Sequence, residues 1–176
     1  MPYISSMIKK ITVWALLLIF TAGAGLADEV TEYDLKAAYL LNFADYVEWP
    51  NSPKPITICV YGDNPFKATT IATLLEAKAG QIDADFKYPR QLEQLTACNI
   101  LYLAPSEQEN FGKTIALLRN APVLVVTDVQ GRSPPGAMIN LITESNRLRF
   151  EINISTVLAA KLKISSKMLK LAKIVP

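Results

Sequence analysis

Apolar residues recur every three or four positions over residues 30–49. This spacing predicts an amphipathic helix and is carried by Leu35, Ala38, Tyr39, Asn42, Phe43 and Tyr46. Acidic residues at Glu32 and Asp34 suit its first turn, where the helix dipole favours negative charge. The helix is expected to end at Trp49-Pro50, because proline cannot continue a helix and restrains the residue before it.

Continuous and alternating apolar segments predict the strands. Buried strands are expected at 56–61, 100–103 and 123–127, a half-exposed strand at 83–88, and a hairpin of 138–143 and 147–152 with its turn at 144–146. Further helices are predicted at 66–78, 156–161 and 165–173, and from a Ser106-x-x-Glu109 capping box to about residue 119. Alternating strands and helices predict one α/β domain over residues 28–176, with a mainly parallel sheet, an antiparallel edge hairpin and helices on both faces.

Residues 1–27 have the pattern of a cleaved secretory signal peptide. Lys9 and Lys10 precede a short apolar run, residues 11–20, and small residues follow up to Ala27. Cleavage after Ala27 is preferred to cleavage after Ala24, because a polar segment then begins the exported chain. The alternative is an uncleaved anchor, but the apolar run is well short of the ~20 residues that span a bilayer.

Composition excludes much of ordinary enzyme chemistry. The chain has no histidine, which removes Ser-His-Asp and Cys-His catalysis and His-ligated metals. Without residues 1–27 it has 16 basic and 16 acidic residues. No excess of positive charge therefore remains that would attract nucleic acid. No metal, cofactor or catalytic residue is predicted.

The two cysteines, Cys59 and Cys98, are expected to form a disulfide. Export places them in an oxidising compartment, where pairing is the default. The alternative is two buried thiols.

A polar strand face is the strongest candidate for binding a partner or an anionic ligand. Arg147, Arg149, Glu151 and Asn153 alternate with apolar residues, so they share one side of a strand. The simpler alternative is an exposed strand with one Arg–Glu pair. Trp49 is a second interface candidate, since Trp and Arg are typical anchors, and its alternative is a core position under the first helix.

Two other segments are open to more than one interpretation. The loop from Asp128 to Gly136, with Ser133-Pro134-Pro135, follows a buried strand, where α/β sheets often bind small ligands. An enzyme using Asp128, Ser133 or Glu151 is disfavoured, because nothing in their spacing assembles an acid–base pair. The C-terminal lysines invite a membrane-surface interpretation, although a solvated helix face explains them more simply; they are Lys161, Lys163, Lys167, Lys170 and Lys173.

Several motifs together resemble the YfiR family of bacterial periplasmic proteins. They are Leu35-Lys36-Ala37-Ala38-Tyr39-Leu40-Leu41-Asn42-Phe43, Tyr46-Val47-Glu48-Trp49-Pro50, Ile56–Gly62, Gly136-Ala137-Met138-Ile139-Asn140, Arg149-Phe150-Glu151-Ile152-Asn153 and residues 162–172. The resemblance spans nearly all of residues 34–174.

The resemblance implies a regulator and not an enzyme. It implies a periplasmic homodimer with an α/β sandwich fold that represses an inner-membrane diguanylate cyclase through the cyclase's periplasmic sensor domain. Cyclic-di-GMP and biofilm formation would fall as a result. A small-ligand sensor is the alternative function.

The resemblance also bears on redox control. Cys59 and Cys98 correspond to one of two cysteine pairs of the best-known member, and Ser133 and Asn140 stand where the second pair is expected. A fixed fold without a redox switch is therefore one consequence of the resemblance.

Overall fold

The computed structural model describes residues 30–176, so the predicted signal peptide lies outside the described residues. Helix α1 spans Glu32–Tyr46. Thr31 caps it in a reciprocal box with Asp34, each side chain accepting a hydrogen bond from the other residue's backbone N–H. The helix ends earlier than the periodicity predicts, because Val47 and Glu48 turn extended as strand β1.

The remaining elements follow in chain order. The strands are β2 Ile56–Tyr61, β3 Ala84–Lys87, β4 Ile100–Leu103, β5 Leu124–Thr127, β6 Ile139–Glu144, β7 Arg147–Asn153, β8 Lys163–Ile164 and β9 Lys173–Val175. The helices are α2 Ala68–Ala77, α3 Phe111–Leu118, α4 Ile154–Ala159 and α5 Ser166–Leu169, with 3-10 turns at Leu92–Ala97 and Pro105–Asn110.

Seven strands form one mixed sheet in the order β3-β2-β4-β5-β6-β7-β9. All neighbouring strands are parallel except β6 and β7, which form the hairpin. Short strand β9 pairs with β7 and forms the edge of the sheet. The prediction that the hairpin lies at the edge is therefore wrong. Strands β1 and β8 make a separate antiparallel pair. The α/β fold with a mainly parallel sheet is confirmed.

The hairpin turn is tighter than the sequence predicts. Glu144 is still part of β6, and only Ser145 and Asn146 turn, with φ of 50° and 59°. Two consecutive left-handed residues are what a two-residue hairpin turn requires, because its twist then matches that of the strands.

Each face of the sheet carries its own apolar core. On one face, Ile58, Tyr102 and Phe150 pack with α1 and α2. On the other, Leu101 and Val125 pack with α3. Helices therefore cover both faces, as the sequence predicts.

The predicted capping box at Ser106 is wrong. The chain enters a 3-10 turn at Pro105 with no side-chain cap, and α3 begins only at Phe111. The Ser106 hydroxyl instead accepts a hydrogen bond from the Asp63 backbone N–H at 2.9 Å, across the ends of β2 and β4. A long-range contact thus takes the oxygen that the local motif would have used.

Candidate functional site

The alternation of Arg147, Arg149 and Glu151 places all three on the sheet face opposite α1. Their apolar neighbour Phe150 points the other way, into aromatic contacts with Tyr39 and Phe43 of α1. We call the charged surface, with Glu144 and Lys173, the β7 face. It lies on the side of the sheet where α3 packs against β4 and β5.

Ion pairs organise the β7 face. Lys173 of edge strand β9 lies 2.9 Å from the buried carboxylate of Glu151, and this hydrogen bond raises the pKa of Lys173. Arg149 lies 3.9 Å from Glu144, with both side chains more than half exposed. Arg147 is exposed and makes no ion pair within residues 30–176. Among the described residues, Arg147 is therefore unpaired, and Arg149 is exposed beside Glu144. A guanidinium group can bind a carboxylate or a phosphate through two parallel hydrogen bonds.

Asn153, at the end of β7, has a structural role. Its side-chain oxygen caps α4 by accepting from the Thr156 backbone N–H at 3.0 Å, and its amide donates to the Pro176 carbonyl at 2.6 Å. Beside it, the loop 131–136 closes a cavity of about 480 Å³ that also includes Glu151. The structure thus brings together the two regions that the sequence singled out separately.

Trp49 is buried, with 6% of its surface exposed. Its indole N–H donates to the Asn99 carbonyl at 3.3 Å. Its placement is the core position that the sequence left as the alternative, so the ring itself is not displayed to a partner.

Cys59 and Cys98 form a disulfide, as predicted. Cys59 lies in β2 and Cys98 directly precedes Asn99 and β4, so the bridge joins two neighbouring strands within the second core. The bridge is buried and it therefore supports the scaffold rather than the surface.

A buried ionic cluster under α1 was missed by the sequence reasoning. Lys36 is 2% exposed, and its ammonium lies 2.6 Å from Asp128 and 2.7 Å from Glu32. Burial alone would lower the pKa of Lys36, but the hydrogen bonds to the two carboxylates outweigh it and raise that pKa. The sequence did contain one indication of this cluster. Lys36, Leu40 and Phe43 recur at helical spacing, so the lysine lies on the side of the helix that faces the core.

A cleft of about 570 Å³ opens at this cluster, at the carboxyl ends of β4 and β5. Among residues 30–176, neither the Oδ1 atom of Asp128 nor the buried hydroxyl of Tyr102 has a hydrogen-bond partner. Burial and the nearby charge of Asp128 raise the pKa of Tyr102, so the phenol stays protonated. The cleft combines the carboxylate of Asp128 with the uncharged groups of Gln108, Gln130 and Thr143.

Within residues 30–176 no cluster of three or more potential Cys, Asp or Glu ligands is placed to hold a metal ion. Among the helices of that same part of the chain, none is long and apolar enough to cross a bilayer.

The chain folds as an α/β domain with a mainly parallel sheet, and its β7 face presents two exposed arginine side chains. A family model described as YfiR/HmsC-like matches residues 33–173, and the chain belongs to this family. YfiR-like members of this family are periplasmic regulatory proteins. The family expected from the sequence motifs is therefore confirmed.

One solved structure has a similar fold. It is described as the ABC domain in complex with L-Trp from Streptococcus pneumonia, and it aligns with a TM-score of 0.51 at 8% identity. The alignment covers 79% of this chain and 60% of that one. At this identity the likeness concerns the fold alone.

Proposed function

We propose that this protein is exported to the periplasm and represses an inner-membrane diguanylate cyclase by binding the cyclase's periplasmic domain. Membership of the YfiR/HmsC-like family over residues 33–173 is the observation that supports this most strongly. The predicted signal peptide agrees with it. Repression lowers cyclic-di-GMP and so restrains biofilm formation.

The β7 face is the surface we assign to the partner. Arg147 and Arg149 are exposed on a rigid strand, and a strand positions side chains more precisely than a loop does. The nearby Glu151–Lys173 ion pair joins β7 to edge strand β9 at the end of this surface. A partner that presents carboxylates would find two planar, multidentate donors held in one orientation.

A regulator of this kind needs only a difference in affinity. If the protein binds the inactive state of the cyclase more tightly, binding shifts the population toward that state. A coupling of a few kcal/mol is enough to change activity many-fold. We further propose that the active form is a homodimer, to be checked by light scattering of the purified protein.

The test of the partner surface is a paired substitution. Arg147→Ala with Arg149→Ala is expected to weaken binding to the cyclase's periplasmic domain about tenfold or more, as loss of interface arginines usually does. Arg90→Ala with Arg119→Ala removes the same charge from two other exposed positions and is expected to leave binding unchanged. Equal losses in both pairs would show an effect of net charge and would refute the assignment.

Loop 128–136 is not held by a second disulfide in this chain. Buried Asn140 donates its side-chain amide to the Val129 carbonyl at 3.0 Å and so ties β6 to this loop. We propose that the protein keeps one loop conformation irrespective of redox state. Equal binding to the cyclase domain with Cys59–Cys98 oxidised and with it reduced, at a temperature where the reduced protein stays folded, is the expected result.

A small-ligand sensor is the second candidate function, and the cleft at Asp128 favours it. A ligand with a hydrogen-bond donor would suit the Asp128 carboxylate, whose Oδ1 atom has no close hydrogen-bond partner among residues 30–176. Thermal-shift screening with small amines, alcohols and carboxylic acids distinguishes the two functions. A stabilising compound that loses its effect in Asp128→Asn would favour the sensor.

A further inference from the structure

The C-terminal end of the chain differs in charge from the rest of it. Residues 154–176, which we call the C-terminal lobe, contain five lysines and no acidic residue, whereas residues 30–153 contain 14 acidic and 11 basic residues. The side chains of the lobe therefore carry +5 and those of the preceding described residues −3. The protein has a strongly uneven distribution of charge that its zero net charge after residue 27 conceals.

The lobe is a folded unit and not a loose tail. The last residue of the lobe contacts the residue that precedes it, because the side-chain amide of Asn153 donates a hydrogen bond to the Pro176 carbonyl at 2.6 Å. Val157, Leu162 and Met168 are buried in the core and anchor α4, β8 and α5. With these side chains facing inward, the lysines are left on the outside, and all five are exposed.

Only two of the five lysines are paired within the described part of the chain. Lys163 lies 4.0 Å from Glu48, and Lys173 lies 2.9 Å from Glu151. Lys161, Lys167 and Lys170 make no ion pair with residues 30–176, so their charges are uncompensated.

Large apolar side chains accompany these charges. Leu158, Leu171 and Ile174 are 62%, 74% and 53% exposed, and they are three of the four most exposed large apolar residues of the described chain. Leu158 and Leu171 lie in the same segment as the unpaired lysines. Leucines together with lysines are the combination that binds the interface of an anionic bilayer, where leucines enter the acyl boundary and lysines reach the headgroups.

The residue types favour a lipid surface over a protein partner. The lobe contains no Arg, Trp, Tyr or Phe, and protein interfaces depend mainly on Trp, Tyr and Arg anchors. Lysine is a flexible point charge without the planar geometry that recognises a particular carboxylate. Attraction to anionic headgroups needs no such geometry.

We propose that the C-terminal lobe docks the protein on the surface of an anionic membrane. The association is peripheral and electrostatic, with exposed leucines adding apolar contact. It does not rest on the proposed regulation of a cyclase, since a purified protein either binds lipid vesicles or does not.

Vesicle co-sedimentation tests the proposal, using protein purified without detergent from a soluble cell extract. Binding is expected to phosphatidylcholine vesicles that contain phosphatidylglycerol, to weaken as salt is raised, and to be absent with pure phosphatidylcholine. Binding that is equal on both vesicles, or absent from both, would overturn the proposal.

Matched variants locate the surface. Lys161→Gln, Lys167→Gln and Lys170→Gln together are expected to weaken vesicle binding about 100-fold, because each lysine near an anionic surface contributes about fivefold. Lys54→Gln, Lys87→Gln and Lys113→Gln change the net charge equally at other exposed positions and are expected to have little effect. Equal loss in the two triple variants would refute a localised docking surface.

A second pair of variants tests the apolar part. Leu171→Ser is expected to weaken binding several-fold, whereas Leu117→Ser, at a 42% exposed position on α3, is expected not to. If the lobe variants abolish regulation of cyclic-di-GMP while the wild-type protein does not bind vesicles, the lobe serves a protein partner and the lipid proposal is wrong.

Discussion

At the scale of single residues, the buried ammonium of Lys36 balances two carboxylates at once. Its contact with Glu32 lies within the first helix, and its contact with Asp128 joins that helix to the end of β5. Lys36→Met keeps most of the length of the side chain but leaves the buried Asp128 without its counter-charge. We expect a loss of about 3 kcal/mol in the free energy of unfolding, measured by urea denaturation.

A double variant separates the charge from the packing. Lys36→Met with Asp128→Leu removes both buried charges and is expected to recover a large part of the lost stability, because the cost of the single variant comes mainly from an unpaired buried carboxylate. If the free energy of unfolding falls further in the double variant, by as much as Asp128→Leu alone lowers it, the two charges do not act as a coupled pair.

Asp34 gives the first turn of α1 a pH dependence. Hydrogen bonds from the hydroxyl of Thr70 and from Thr31 lower the pKa of Asp34 to about 2. Because the folded pKa lies below the unfolded value of 3.8, the ionised carboxylate stabilises the fold above about pH 4. This stabilisation is lost as the pH falls toward 2.

The melting temperatures of the wild type and of Asp34→Asn are expected to differ in a pH-dependent way. Asp34→Asn is expected to melt below the wild type at pH 7, and the gap is expected to narrow between pH 4 and pH 2. A gap that stays constant over that range would contradict the hydrogen-bonded carboxylate.

Gly136 occupies a position that only glycine tolerates. Its φ is +88°, and a Cβ atom placed there would lie 2.4 Å from Cγ2 of Ile115 on α3. Gly136→Ala therefore combines backbone strain with a clash that must displace the helix or the loop. We expect the free energy of unfolding to fall by about 2 kcal/mol or more, measured by urea denaturation.

Gly131, in the same loop, serves as the control. It has a φ of +89° but open space around its Cβ position, so Gly131→Ala is expected to cost only about 1 kcal/mol of backbone strain. Equal costs at the two positions would show that the contact with Ile115 contributes nothing.

At the scale of the elements, the disulfide is the clearest contribution to stability. The bridge closes a loop of 39 residues between β2 and the start of β4. Cys98→Ser is expected to lower the free energy of unfolding by about 4 kcal/mol on the chain-entropy estimate. Denaturation with and without a reductant checks this: the wild type should fall to the level of the variant once the bridge is reduced. A wild type that keeps its full stability after reduction would contradict it.

The elements also show which parts of the fold the sequence could predict. The buried strands β2, β4 and β5 are short, largely apolar runs, and their length of four to six residues favours a strand over a helix. The short strands β1, β8 and β9 carry no such pattern. Strand β9 exists because the chain after α5 reaches the open edge of β7, a tertiary event that residues 165–173 do not encode locally.

The candidate site was predicted in part for the same reason. Period-two alternation is enough to put Arg147, Arg149 and Glu151 on one face. It does not say that Lys173, much later in the chain, would pair with the carboxylate of Glu151. Likewise the Lys36–Asp128 contact joins residues 92 positions apart, and neither residue alone suggests the other.

At the scale of the whole molecule, two surfaces differ in their chemistry. We propose that the β7 face, with its exposed arginines, binds a protein partner, and that the C-terminal lobe, with its lysines and leucines, binds an anionic bilayer. A regulator held near the membrane meets a membrane-embedded cyclase at a higher effective concentration than one that diffuses freely. When both surfaces are altered together, the losses in the free energy of binding to the cyclase are therefore expected to add.

The intracellular level of cyclic-di-GMP is the most direct measure of whether this protein regulates a diguanylate cyclase. It should be measured in cells with the gene, without it, and complemented by the wild type, by Arg147→Ala/Arg149→Ala or by Arg90→Ala/Arg119→Ala. We predict a rise on deletion that the wild type and the control pair reverse and the β7 pair does not. An unchanged level on deletion, in cells shown to express a diguanylate cyclase with a periplasmic domain, would contradict the account.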